Sequence, residues 1–139
     1  MGKKTVGRFV LDLTTPIAVA ANSNIVFTGS TISTNALSYN SSTGEIQIKV
    51  PGLYRIYANF TVSAVGTETP TVTLLENGQA VPGAKASETL AAAENVANLA
   101  FSTVTTVSPS CGNTFATLSL RNIVATNYLV ANVIVEKIA

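Results

Sequence analysis

The chain contains no histidine and no tryptophan, and only one cysteine, one methionine and one aspartate, Asp12. Without histidine, neither a Ser-His-Asp nor a Cys-His catalytic set can be assembled, and no imidazole metal site exists. Cys111 alone cannot hold zinc or close an internal disulfide, so the fold must stand on packing. It reads as a small residue beside Gly112, with an intermolecular bridge as the alternative. The glutamates Glu45, Glu68, Glu76, Glu88, Glu94 and Glu136 are scattered, whereas calcium prefers clustered oxygen ligands. The Gly2-Lys3 pair precedes any strand and makes no phosphate loop. The expectation is therefore no catalytic residue, no metal and no cofactor. One enzymatic arrangement stays open, a glycosidase pairing two distant carboxylates such as Glu45 and Glu76.

Charge is scarce too. Eight basic residues against seven acidic ones give a net charge of +1, and only 11% of the chain is charged. Nucleic acid and anionic membrane surfaces are usually met by a clustered basic patch, so no nucleic-acid partner is expected. No apolar run approaches signal-peptide or membrane-span length, which argues against membrane insertion. Hydrophobic residues nevertheless make up 47% of the 139. That is more apolar surface than one small core should hide, and self-association is the usual remedy.

What is present is a dense pattern of strands and turns. In residues 40–57, Thr43-Gly44 closes a turn, and Ile46, Ile48 and Val50 then alternate with Glu45, Gln47 and Lys49, the period of a half-buried strand. Pro51-Gly52 is expected to end that strand in a type II turn, with Gly52 at positive φ. Tyr54, Ile56, Ala58, Phe60 and Val62 share one face of a long central strand, opposite Arg55, Tyr57, Asn59 and Thr61. Asn77-Gly78 between Val72–Glu76 and Gln79–Val81 is a strong hairpin signal, because both residues tolerate the positive φ of a type I′ turn.

The remaining strands are expected at Arg8–Leu13, ended by Pro16, then at Ile25–Phe27, Ile32–Tyr39, Val96–Val107, Thr114–Leu120 and Tyr128–Ile138. Ser87–Glu94 carries an N-cap and good helix formers, yet it has one large apolar residue, Leu90, and too few residues for a helix to stand alone. A strand, a loop or a short helical turn is expected there. The fold class is all-β: an antiparallel β-sandwich of jelly-roll type with about eight to ten strands. One domain spans residues 1–139, with 1–6 as a short N-terminal arm.

Three segments carry a family resemblance. The order Tyr39, Asn40, Thr43-Gly44, alternating strand, Pro51-Gly52 and Tyr54 resembles the complement C1q and tumour necrosis factor-like jelly rolls, most of all the variants encoded by bacteria and tailed phages. Residues 74–84, with Asn77-Gly78 and Pro82-Gly83, are similar to a hairpin of those variants. Cys111-Gly112-Asn113-Thr114 with the strands that follow, closing on Val135–Ala139, looks like the family's last strands. No collagen-like Gly-x-y run, the stalk of many members, occurs within these 139 residues. The resemblance implies a compact homotrimer packed around an apolar inner sheet. It also implies a non-enzymatic structural or recognition role, as a head-fibre or decoration module on a phage or prophage virion. Capsid or other virion proteins and a bacterial surface glycan or protein would be its partners. The alternative is a trimeric adhesion module of a bacterial cell or spore surface, like the C-terminal domains of spore-surface glycoproteins.

Tyr57, Phe115 and Tyr128 each stand opposite an inferred core face, which makes them the candidate trimer contacts. The competing reading places them under loops of the same subunit. In Tyr128–Val135 only Asn132 is polar, although a sandwich strand needs one buried face. Something must cover the other.

Overall fold

The computed structural model describes residues 4–66, 69–90, 92, 95–109 and 112–139. Alternation of apolar and polar residues builds two antiparallel sheets, and no helix occurs among the described residues. The strands are β1 (Val6–Val19), β2 (Ser23–Asn24), β3 (Gly29–Ile32), β4 (Leu37–Asn40), β5 (Glu45–Ile48), β6 (Gly52–Ala64), β7 (Thr71–Glu76), β8 (Gln79–Ser87), β9 (Val96–Val107), β10 (Ala116–Asn122) and β11 (Thr126–Lys137). The first sheet runs β3-β1-β11-β6-β9 and the second β4-β5-β10-β7-β8, with β2 also paired to β10. The chain passes repeatedly from one sheet to the other, while the hairpins β4–β5 and β7–β8 each stay within the second sheet, an arrangement of jelly-roll type.

The inward residues of both sheets form one core. Phe9 and Leu11 of β1, the Tyr54-Ile56-Ala58-Phe60-Val62 series of β6, Leu99 of β9, and Val133 and Val135 of β11 meet Ile46, Ile48, Val72, Leu74, Leu118 and Leu120 of the second sheet. Burying each such side chain is worth roughly 1.5–3 kcal/mol, enough in sum to fix which face of every strand turns inward.

Several local expectations give way to tertiary contacts. Pro16 does not end β1. It falls in the register shift between Asp12 and Ile17, where a residue without an N–H costs no ladder bond, and the strand continues to Val19. Ile25–Phe27 forms no strand because it crosses between the sheets: the Ile25 amide donates to Leu120 of β10 and the Thr28 amide to Val10 of β1. Tyr39 holds that crossing, its hydroxyl accepting from the Phe27 amide at 2.6 Å and its ring packing against Phe9 and Phe27.

Gly52 has no positive φ, so the expected type II turn is absent. Glycine is required there for space, since a Cβ would lie 2.6 Å from the Ala139 carbonyl oxygen. Val50, expected on the core face, lies beyond β5 and is exposed. Gly44 does adopt positive φ (78°), and a Cβ there would meet the Ile25 carbonyl oxygen at 2.6 Å. Asn77 and Gly78 both take positive φ, and the Asn77 side chain ties the hairpin down by donating to the Ser108 carbonyl and accepting from the Thr117 amide. Of the expected arm, Lys4–Val6 lie against the first sheet, with Thr5 bonded to Thr34 and β1 already begun at Val6. Ala91, Ala93 and Glu94 of the Ala-rich segment, and Cys111, lie outside the described residues.

Candidate assembly face

The outward face of the first sheet sets exposed apolar side chains among polar and charged ones. Its side chains line up across strands by register. One row reads Thr31, Arg8, Ile134, Tyr57 and Ser102, and the next Gly29, Val10, Asn132, Asn59 and Ala100. A further row joins Asp12, Val130, Thr61 and Asn98. Tyr57 stands inside this array at 41% exposure, with Val104 at 48% and Val96 at 66% on the neighbouring strand β9. Ile134, Val130 and Val10 around it are half-buried by their strand neighbours alone.

Polar groups on the face are mostly engaged with each other. Asn59 donates to the Tyr57 hydroxyl at 3.5 Å, Thr61 to Asn98 at 3.0 Å, and Arg8 to Asn132 at 3.4 Å. At the edge Glu136 accepts Lys4 at 2.7 Å and Arg55 at 3.4 Å. The hydrogen bond from Lys4 holds the Glu136 carboxyl below its usual range. Internally satisfied amides and hydroxyls lose little when water is removed.

Tyr128 does not belong to this face, contrary to expectation. Strict alternation from Val133 and Val135 would turn it outward, but Leu129 is an extra residue between the pairs Tyr128–Val62 and Val130–Thr61. That bulge reverses the phase of the strand and drives Tyr128 into the core. It is fully buried, edge-on to Phe60 with centroids 6.1 Å apart, and its hydroxyl donates to Asn122 Oδ1 at 2.8 Å. Burial pushes the phenol far above its usual range. Asn122 in turn donates to the carbonyls of Val19 and Ala20, so Tyr128 anchors the far end of β1.

Phe115 is half-buried just before β10, in the opposite sheet, and shares no face with Tyr57. Only Tyr57 of the three candidates thus lies on the outward first-sheet surface. The residues missed are Val10, Val130 and Ile134, together with Val96 and Val104. Their signal was present as apolar residues in the outward phase of strands whose inward phase is already filled.

The two acids that a glycosidase could have used are not paired. Ile46 and Glu76 both face the core side of β10 through their common partner Leu118, whereas Glu45 precedes Ile46 and points to the other face. Carboxylates on opposite faces of a sheet cannot flank one bond.

No sequence-family model matches the chain, and no curated protein does either. Solved structures do resemble it. The structure of Eiger TNF from S. frugiperda superposes with a TM-score of 0.74 at 10% identity, over 99% of this chain and 94% of that one. Murine APRIL superposes with a TM-score of 0.68 at 10% identity, over 98% of this chain and all of that one. At such identity the likeness establishes the architecture: a TNF-like jelly roll.

Proposed function

We propose that the chain is one subunit of a homotrimeric, non-enzymatic recognition module, with the outward face of the first sheet turned toward the threefold axis. The observation that carries this is the exposed Tyr57 beside Ile134, with Val96 and Val104 exposed on the next strand, all standing outward on a sheet whose inward face already supplies the core. Five strands at about 4.8 Å spacing make a surface roughly 20 Å wide, the scale of a specific subunit contact. The resemblance of residues 35–139 to phage and bacterial C1q-type domains supports the particular setting, a head-fibre or decoration module on a phage or prophage virion. Loops rich in Thr, Ser and Asn then meet a bacterial surface glycan or protein through neutral hydrogen bonds, and binding to intact cells changes little between low and high salt.

Gold labelling of the parent particle, imaged by electron microscopy, tests the role. Regular knobs on the particle surface are expected. Absence of the protein from purified particles, or glycan cleavage that Glu45→Gln abolishes, would contradict it.

A further inference from the structure

A second site lies away from the assembly face, at the end of the sandwich beside the β7–β8 hairpin. Across that hairpin Thr73 pairs with Lys85 and Leu75 with Ala80, so a two-residue step on β7 spans a five-residue step on β8. The surplus loops outward through Pro82 and Gly83, which takes a φ of +80°. The result is a cleft of about 410 Å3 lined by Glu76, Thr105, Gln79, Ala80, Val81 and Pro82, and by Asn77 at the turn.

Glu76 is the only charged group in this lining. Its position is unusual for a carboxylate, because its pairing with Leu118 turns it toward the space between the sheets. Thr105 Oγ1 donates to it at 3.4 Å, and among the described residues no cation lies within ion-pair distance. Burial pushes its carboxyl above the usual range, the expected consequence of a charge partly removed from water without a counter-charge. The opposite wall, Ala80, Val81 and Pro82, offers aliphatic surface to whatever approaches the carboxylate.

We propose that this cleft binds an organic cation with a short alkyl stem, an alkylammonium or alkylguanidinium, with the charge on Glu76 and the stem against Val81 and Pro82. The chemistry is that of a lysine or arginine side chain or of a free aliphatic amine. A positive head restores the missing counter-charge in a concave site where solvent screening is reduced, and the stem covers apolar wall, as long cationic side chains do.

The test is an NMR titration of the whole chain with n-butylammonium, n-butylguanidinium, methylammonium and n-butanol, and with a short peptide bearing one lysine. Saturable shifts confined to the amides of Glu76–Val81 and Thr105 are expected with the butyl cations and not with butanol. Glu76→Gln, which keeps the size of the side chain, should weaken butylammonium binding at least tenfold while leaving the rest of the spectrum in place. Val81→Asn keeps the charge and should weaken butylammonium more than methylammonium. Response to the peptide alone would assign the cleft to a protein-borne lysine, and equal response to the free amine would assign it to small amines. Either supports the cation site. Butanol shifting the same amides equally, no saturable shift with any cation, or binding unchanged in Glu76→Gln would overturn it.

Discussion

The two sheets are written in the same alternating code inward and differ in what they turn outward. The first presents Tyr57, Val104, Val96, Ile134 and Val130 among amides that bond each other and among the charges of Arg8, Asp12, Arg55 and Glu136. The second presents Ser38 bonded to Gln47, then Thr117, Arg121 and Lys85, while the apolar Leu75 on its outward side is buried by its own subunit. The inward residues of either sheet specify a sandwich and are interchangeable in kind. Only the outward residues distinguish the sheets, and the proposed trimer rests on that difference.

The sharpest way to break that contrast is to place the same charge on both faces. Tyr57→Glu should bury an unpaired carboxylate at each copy of the contact, costing several kcal/mol per charge and dissociating the assembly. Gln47→Glu on the second sheet keeps the side chain's size and its bond from Ser38, and should change stability by no more than about 0.5 kcal/mol with the assembly intact. Sedimentation velocity of the two variants reads the difference directly.

Tyr128→Phe separates core from assembly. Losing the hydroxyl leaves the buried Asn122 Oδ1 without its donor, at a cost of about 1–3 kcal/mol in urea unfolding, with no change in subunit number. A variant that unfolded normally but dissociated would return Tyr128 to the interface. Gly52→Ala should cost about 1–3 kcal/mol, because its Cβ would press on the Ala139 carbonyl oxygen, a backbone atom that the Leu53 amide holds at 2.9 Å.

The smallest effect concerns the rim of the first-sheet face. Glu136 has its carboxyl held below the unfolded value, chiefly by Lys4. Its contribution is therefore present above the unfolded carboxylate pKa and is lost as pH falls through the lower folded value. In the separate subunit this ion pair is exposed and screened, so Glu136→Gln should barely alter the acid unfolding profile at moderate salt. A larger loss of stability on acidification in the assembled protein than in Tyr57→Glu, removed by Glu136→Gln, would show that assembly brings the rim out of water.

The period-two runs made the class, the long central strand β6 and the Asn77-Gly78 hairpin legible in the sequence, because each rests on local chemistry that tertiary contacts reinforce. Tyr57 was legible as an outward aromatic for the same reason. Tyr128 was not, since a single extra residue at Leu129 inverts everything N-terminal to it in the strand, and nothing in Tyr-Leu-Val-Ala marks where the bulge falls. Pro16 misled because its cost depends on whether its position faces a ladder bond. Gly52 misled because the space it preserves is created by the chain end, far away in sequence. The Glu76 cleft was hidden too: Pro82-Gly83 read as a turn, while the concavity arises from unequal steps on β7 and β8.

The central claim, that the outward face of the first sheet is covered by identical subunits, is tested most directly by the solution mass of the unmodified chain. Light scattering coupled to size exclusion, repeated over a hundredfold dilution, should return three times the 14.4 kDa of one chain. A mass of 14.4 kDa throughout the series would leave Tyr57, Val104 and Val96 facing water and would contradict the account.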